Sequence, residues 1–348
     1  MIKRAVKAGK VTIGGGGEIS VQSMTNTDTA DIAATCAQLT ALEKAGCDIA
    51  RLAVRDMKDV EACRTYIDRF DMPLVADIQF DYRLAVACAD IGFAKVRFNP
   101  GNTSAAGVRE LAAACKANGC PIRIGINGGS LEKDIKVRYG GVTADGLAES
   151  AIRTVRMLER ESFSDIVISV KASDVRLTVD AYTKLDRLCG YPLHLGITES
   201  GSGRDAIVKS AAGIGALLLA GIGDTIRVSL TGDPVYEVEV GKSIVRAVGL
   251  DKNYVEVVSC PTCARCFYDL EGLVNKCKQL TEGVNKPLKI AVMGCVVNGP
   301  GEASDADVGI AGGKDKAVLF RKGSVIRTLP VKEAEETFLV MVEELVRG

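Results

Sequence analysis

Short apolar, β-branched runs alternate with longer segments rich in Ala and Leu from Ile19 to about Val248, which is the βα rhythm of a parallel sheet. Eight strands are expected, at 19–24, 49–54, 73–78, 94–98, 121–127, 165–170, 193–198 and 225–230. Each precedes a stretch long enough for a helix, such as 28–45 or 205–219, so the units can close into a TIM (β/α)8 barrel. An open doubly wound sheet is the alternative. The rhythm stops between Gly249 and Tyr254. Beyond it the pattern predicts strands at 254–258 and 288–293, a helix near 267–279, short strands near 317–320 and 324–329, and a final helix from Pro330. That helix carries an apolar stripe through Phe338, Val342 and Leu345. The expectation is an α/β chain with a barrel over residues 1–250 and a smaller α/β domain over 251–348.

Composition narrows the partners. The 348 residues carry 44 Lys and Arg against 44 Asp and Glu, so no general basic field exists to gather nucleic acid or an anionic membrane. An anion site must be local. Apolar stretches are interrupted well before a membrane-spanning length, and the basic opening MIKRAVKAGK lacks an apolar run, so a cytoplasmic protein is expected. The glycine run Gly14 to Gly17 lacks the Gly-Lys-Ser/Thr ending of a phosphate loop and reads as a hairpin turn.

Several expected strands carry a cation where a buried strand should be apolar: Arg51, Arg97, Arg123, Lys171 and Arg227. A buried, unpaired cation is costly, so each must meet an anion or water. Strand parity puts Arg97 with Asn99, Arg123 with Asn127, Lys171 with Ser169 and Ser173, and Arg227 with Ser229. In a barrel that shared face is the lumen near the C-terminal strand ends, where barrel enzymes place their sites. Convergent guanidinium and ammonium groups suit a phosphate or diphosphate. Pairing with Asp77, Asp174 or Asp224 in a structural network is the competing account. Glu199, after the seventh strand, is a candidate proton donor or acceptor if its loop turns inward. The lone histidine, His194, reads as a packed or hydrogen-bonded residue rather than a catalyst.

Of twelve cysteines, Cys36, Cys47, Cys63, Cys88, Cys115, Cys120 and Cys189 are scattered through apolar segments and read as small buried thiols. The rest crowd between Cys260 and Cys295. Cys260-Pro-Thr-Cys263-Ala-Arg-Cys266 is followed, after 31 residues beyond Cys263, by Cys295 in MGCVVNGPGEA. Such spacing serves zinc and iron-sulfur clusters alike. Asn298-Gly-Pro-Gly is expected to form a tight turn that returns Glu302 to the metal. A carboxylate is a hard, labile ligand that could yield to a substrate oxygen, whereas Cys266 or Cys277 in its place would favour simple electron relay.

With these motifs assembled, the chain resembles the bacterial 4-hydroxy-3-methylbut-2-en-1-yl diphosphate synthases of the methylerythritol phosphate route. The resemblance runs nearly end to end, through VQSMTNTDT at 21–29, LVADI at 74–78, RIGIN at 123–127, SVKASD at 169–174, YPLHLG at 191–196 and GIGDTIRVSLT at 221–231. It implies a TIM barrel joined to a reductase-like domain whose 4Fe-4S cluster, one per subunit, is held by Cys260, Cys263, Cys295 and Glu302. It implies a homodimer in which the cluster domain of one subunit covers the barrel mouth of the other. The substrate would be 2-C-methyl-D-erythritol 2,4-cyclodiphosphate, with electrons from flavodoxin or ferredoxin. Arg51, Arg97, Arg123, Lys171, Arg227 and Ser229 become diphosphate contacts with Asn127 nearby, and Glu199 with Glu302 becomes catalytic. The chain departs from the family at Arg55, Gln79 and Ala264, where Pro, His and Gly or Ser are usual. Cys266 is an extra thiol and is expected to be dispensable. A redox-neutral iron-sulfur hydro-lyase is the alternative enzyme, and a barrel with a structural zinc module the noncatalytic one.

Overall fold

The computed structural model describes residues 3–98 and 103–348, and the chain divides between Asp251 and Lys252 into two compact units. The first begins with a small antiparallel hairpin, β1 (Val6–Ala8) and β2 (Val11–Ile13). Eight parallel strands follow: β3 (Ser20–Met24), β4 (Ile49–Ala53), β5 (Leu74–Asp77), β6 (Lys95–Phe98), β7 (Ile122–Asn127), β8 (Ile166–Lys171), β9 (His194–Leu195) and β10 (Thr225–Ile226). They run in the order β8-β7-β6-β5-β4-β3-β10-β9. A parallel bridge between Ile168 and Leu193 joins the two ends, so the sheet is a closed barrel. The helices are α1 (Ile32–Lys44), α2 (Met57–Arg69), α3 (Tyr82–Asp90), α4 (Ala105–Ala117), α5 (Lys133–Tyr139), α6 (Ala144–Arg160), α7 (Val175–Leu188), α8 (Gly203–Leu219) and α9 (Pro234–Ala247). Side chains of Asp31, Asp56, Asp81, Ser104, Thr143, Asp174 and Asp233 accept from first-turn N–H groups and fix where the helices start.

Each strand sorts its residues between two environments. Val96 and Phe98, Ile122 and Ile124, and Leu193 and Leu195 pack outward in the large core beneath the helices. Their neighbours Lys95, Arg97, Arg123 and His194 therefore point into the lumen. The closed end of the lumen is apolar: Val6, Ala8 and Ile13 of the hairpin pack on Ile49, Val75 and Val167. The glycine run is not the hairpin's turn, which falls at Gly9 and Lys10. Gly14, Gly15 and Gly16 all have positive φ and follow β2, folding back on the first strand. A Cβ at Gly14 would stand 2.3 Å from the Arg4 carbonyl oxygen, so only glycine fits that return.

The last two barrel strands are shorter than the sequence suggests. Between β8 and β9 the ladder is replaced by a side chain, because the buried Tyr182 hydroxyl accepts from Val170 N–H at 3.2 Å and donates to the His194 carbonyl.

The second unit is a five-stranded sheet, β11 (Val255–Ser259), β12 (Leu288–Met293), β13 (Val308–Gly312), β14 (Lys316–Arg321) and β15 (Ser324–Pro330), parallel over its first three strands and antiparallel after. Helices α10 (Leu270–Leu280) and α12 (Val331–Arg347) cover it, burying Leu273, Cys277, Phe338 and Val342 against Ile290, Val292 and Ile310. The central strand β13 was not expected; its glycines are dictated by aromatic rings, since a Cβ at Gly309 would lie 2.1 Å from Phe320. The short helix α11 (Gly299–Glu302) follows β12. No helix is long and apolar enough to cross a membrane among the described residues.

Tyr182→Phe strands Val170 N–H and the His194 carbonyl at the barrel's seam. We expect a loss of about 1–3 kcal/mol in urea unfolding; an unchanged midpoint would remove Tyr182 from the closure.

Candidate active site

The five strand cations do meet in one lumen. Arg51, Arg123 and Lys171 are 9, 2 and 5% exposed, and Arg97 and Arg227 are only slightly more open. Asp77 sits among them: Arg97 Nη1 donates to its Oδ1 at 3.1 Å and Arg51 Nε lies 3.7 Å from its Oδ2. Arg51 also rests on the Met24 sulfur, at 2.8 and 3.0 Å. Burial opposes the Asp77 charge, but Arg51, Arg97 and Arg123 together hold its carboxyl below the ordinary range. Burial likewise draws the Arg51 guanidinium down to about 10 despite Asp77. Lys171 is pulled well below an ordinary lysine, by burial first and then by Arg123, Arg227, Arg51 and Arg97. Asn99, the expected neighbour of Arg97, lies outside the described residues.

Two glycines make room for this charge. A Cβ at Gly125 would lie 2.6 Å from Arg97 Nε, and one at Gly196 would lie 2.5 Å from Lys171 Nζ. The second carboxylate is Glu237 on α9, which sequence reasoning missed. It accepts from Arg227 Nη2 at 3.2 Å, Ser23 Oγ at 2.9 Å and Leu230 N–H at 3.0 Å. An acid within an amphipathic helix reads as solvated, and only the fold shows it turned inward. The other two proposed counterions do not serve. Asp174 caps α7 through Leu177 N–H, and Asp224 accepts from Leu193 N–H at 2.8 Å. Only Asp77 of that trio pairs with the cations.

Beside the cations, an open cavity of about 490 Å³ is lined by Asn127, Gly128, Gly129, Ala172, Ser173 and Thr198 together with Glu199. Glu199 adopts φ +53°, a left-handed conformation unusual for a non-glycine residue. That turn is what brings its side chain to the cavity against the strand's parity. Ser229 is half-buried just before Leu230. His194 is fully buried and neither ring nitrogen has a hydrogen-bond partner among the described residues; burial and the neighbouring cations push it well below its ordinary value. It is a neutral, packed residue. Arg55, one of the departures, binds Asp59 through its own N–H at 2.8 Å, a bond that proline could not make, and its side chain joins Asp28 and Asp59. Gln79 is exposed.

In the second unit a cavity of about 190 Å³ is lined by Cys260, Cys263, Cys295 and Glu302, with Thr262, Arg265, Gly294 and Asn298. Cys266 and Cys277 do not line it. The Cys266 sulfur turns to the Tyr268 carbonyl at 3.5 Å, and Cys277 is sealed in the core under α10. Gly294 N–H donates to Cys260 Sγ at 3.1 Å, and a Cβ there would meet both that sulfur and Cys266. Asn298-Gly-Pro-Gly runs into a one-turn helix, Gly299–Glu302, with Pro300 in its first turn, rather than forming a tight turn alone. That helical turn brings Glu302 to the cavity that Cys295 also lines. The Cys295 thiol is drawn below its ordinary value by the Asn298 and Val297 N–H groups and by Arg265, which also sits against Cys263. Arg265 was not anticipated. Among the described residues no three Cys, His, Asp or Glu side chains converge tightly enough to grip a single ion. The scattered cysteines form no disulfide; all but the half-buried Cys189 are buried.

The two units define an α/β-barrel protein built around a polyanion-seeking lumen, joined to an α/β unit whose cavity offers three thiols and a carboxylate. Comparison with known proteins gives that class a family. Residues 3–242 match the model of the GcpE TIM-barrel domain and residues 256–344 that of the GcpE protein C-terminal domain. The chain is 51% identical over 343 residues to a 4-hydroxy-3-methylbut-2-en-1-yl diphosphate synthase (flavodoxin) of Ruminiclostridium cellulolyticum, covering 98% of this chain and 97% of that one. It is 50% identical over 347 residues to the corresponding protein of Caldanaerobacter subterraneus subsp. tengcongensis, covering 99% and 98%. The chain belongs to the GcpE family of 4-hydroxy-3-methylbut-2-en-1-yl diphosphate synthases. Among solved structures, type I 3-dehydroquinate dehydratase from Clostridium difficile is similar with a TM-score of 0.53 at 12% identity, over 71% of this chain and 98% of that one. That likeness concerns the fold alone.

Because the Asp77 carboxyl is depressed in the folded protein, its stabilising effect is full above the unfolded carboxyl range, about pH 4, and is lost as pH falls through the folded value. Asp77→Asn should cost about 3–5 kcal/mol at neutral pH and make stability less steep below about pH 4. Urea unfolding between pH 3 and 7 checks both; an acid limb as steep as that of the wild type would contradict the pairing.

Proposed function

We propose that this chain converts 2-C-methyl-D-erythritol 2,4-cyclodiphosphate to 4-hydroxy-3-methylbut-2-enyl diphosphate by two-electron reductive ring opening with loss of water, a step of isoprenoid precursor synthesis. The observation that carries the reading is the gathering of Arg51, Arg97, Arg123, Lys171 and Arg227 in one lumen, where among the described residues Asp77 and Glu237 are the carboxylates that pair with them. Such a set calls for a multiply charged anion, and planar guanidinium groups match diphosphate oxygens. These cations hold the diphosphate, with Ser229 and Asn127 as hydrogen-bonding neighbours. Glu199 lines the cavity shared with Asn127 and is the group placed to give or take a proton.

The cysteine-lined cavity fits a 4Fe-4S cluster, one per subunit. Its donors are three thiols and one carboxylate lining one cavity, and thiolates are the ligands that iron-sulfur clusters take. The side-chain-free Gly294 leaves space against Cys260 and supplies an N–H to its sulfur, the kind of bond that tunes a cluster's potential. Cys260, Cys263, Cys295 and Glu302 would be the ligands, and Arg265 offsets thiolate charge beside two of them. When bound, the cluster supplies electrons one at a time and a Lewis-acidic position at the carboxylate-held iron. The flavodoxin in the relatives' names makes flavodoxin the proposed donor, with ferredoxin as the other candidate. Neither the cations nor the thiols suffice alone. We assign them to one composite site shared across a homodimer, the cluster domain of one subunit serving the barrel of its partner.

The direct test is anaerobic turnover of the cyclic diphosphate with and without reduced flavodoxin. Strict dependence on the reductant supports the reading, and turnover without it would favour a redox-neutral hydro-lyase. For the shared site, two inactive variants, Lys171→Met and Glu302→Ala, are mixed and allowed to exchange subunits. Recovery to about a quarter of wild-type activity is expected, since half the dimers are mixed and each has one intact pairing. No recovery after confirmed exchange would place the two halves of the site in one chain.

A further inference from the structure

Lys95 has no part in the scheme above. It is fully buried on β6, two residues before Arg97 on the same lumen face, so it sits roughly 6–7 Å nearer the closed end of the barrel. Beneath it is the apolar plug: its register partner is Val75, which packs with Ile49, Val167 and the hairpin. The charged and titratable groups around it are Arg123, Arg51, the Cys120 thiol and the neutral His194. Its Nζ has no hydrogen-bond partner among the described residues, and the same is true of Arg123 Nε, the Gln22 side-chain amide and both His194 nitrogens. The nearest acid on the adjoining strand, Asp77, is engaged by Arg97 and Arg51.

An ammonium ion here would be buried beside two guanidinium groups with no anion of its own. Arginine cannot shed its proton to relieve the crowding, but lysine can. A bound diphosphate would reverse the field from the open side of the lumen.

We infer that Lys95 is the charge-compensating residue of the substrate site, an uncharged amine in the free barrel that takes up a proton from solvent when the diphosphate binds above it. The inference rests on the diphosphate reading of the lumen. Burial, with Arg123 and Arg51 adding to it, holds Lys95 well below an ordinary lysine, in accord with the geometry. Lys95 acts through Arg123 and Arg51 and is a positioning residue. Binding that takes up a proton weakens as pH rises through the window in which the bound ammonium, but not the free amine, is protonated.

The experiment is anaerobic calorimetry of the holoenzyme with the cyclic diphosphate and no reductant, in two buffers of equal pH and different ionisation enthalpy. Wild type is compared with Lys95→Met and Lys95→Arg. The slope of heat against buffer enthalpy should give both variants about one proton less uptake than wild type. Equal uptake in all three overturns the proposal. So does a Lys95→Met chain that cannot fold while Lys95→Arg does, because an uncharged amine should be replaceable by methionine. Absence of any saturable heat in well-folded wild type would instead remove the diphosphate reading, and this proposal with it.

Discussion

Six cationic side chains face the lumen of this barrel, and two carboxylates answer them. That imbalance is the constraint from which the remaining features follow. Buried ions lose hydration worth several kcal/mol each, and the loss is recovered only through partners. Asp77 therefore stands between Arg51 and Arg97, and Glu237 reaches in from α9 to Arg227. Among the described residues Arg123, Lys95 and Lys171 have no carboxylate in ion-pair contact. A lumen built this way is held ready for an anion that the protein itself does not supply. The fold accepts that tension because eight strands and a thick outer helical core hold the cations in place.

The surrounding structure isolates the charge. The apolar hairpin closes one end of the barrel, so water and ligand meet the cations from the other. Glycines at 125 and 196 let Arg97 and Lys171 lie flat against the backbone, and the Tyr182 hydroxyl closes the seam where the sheet ladder lapses. In the second unit a similar economy operates with sulfur. A helical turn presents Glu302 to the same cavity as Cys260, Cys263 and Cys295, while Cys266 is turned away by its bond to Tyr268.

Much of this was legible in the residues. Parallel strands buried on both faces read as apolar runs, so a cation inside one, as in KVRF or PIRI, is conspicuous. The cysteine spacing marked a metal site without choosing the metal. What stayed hidden depended on contacts between distant segments. Three of the five residues of the strand at Val308–Gly312 are glycine or alanine, and at the two glycines Phe320 and Tyr268 occupy the space of side chains, which weakens its β-branched signature. Nothing in the sequence singled out Glu237 or Lys95, since an acid in an amphipathic helix is ordinarily solvated and a lysine at a strand's start ordinarily reaches water. The one-turn helix at Gly299–Glu302 resembled a tight turn because Gly and Pro serve both.

The claim that the lumen is a diphosphate site is tested most directly by ligand-dependent thermal stability. The cyclic diphosphate at about a hundred times its dissociation constant should stabilise the wild-type protein by about 2.7 kcal/mol, whereas 2-C-methyl-D-erythritol, the same skeleton without phosphate, should not. Arg123→Met should abolish the gain while leaving a folded protein. Equal stabilisation of wild type and Arg123→Met, or equal effects of the charged and uncharged ligands, would contradict the account.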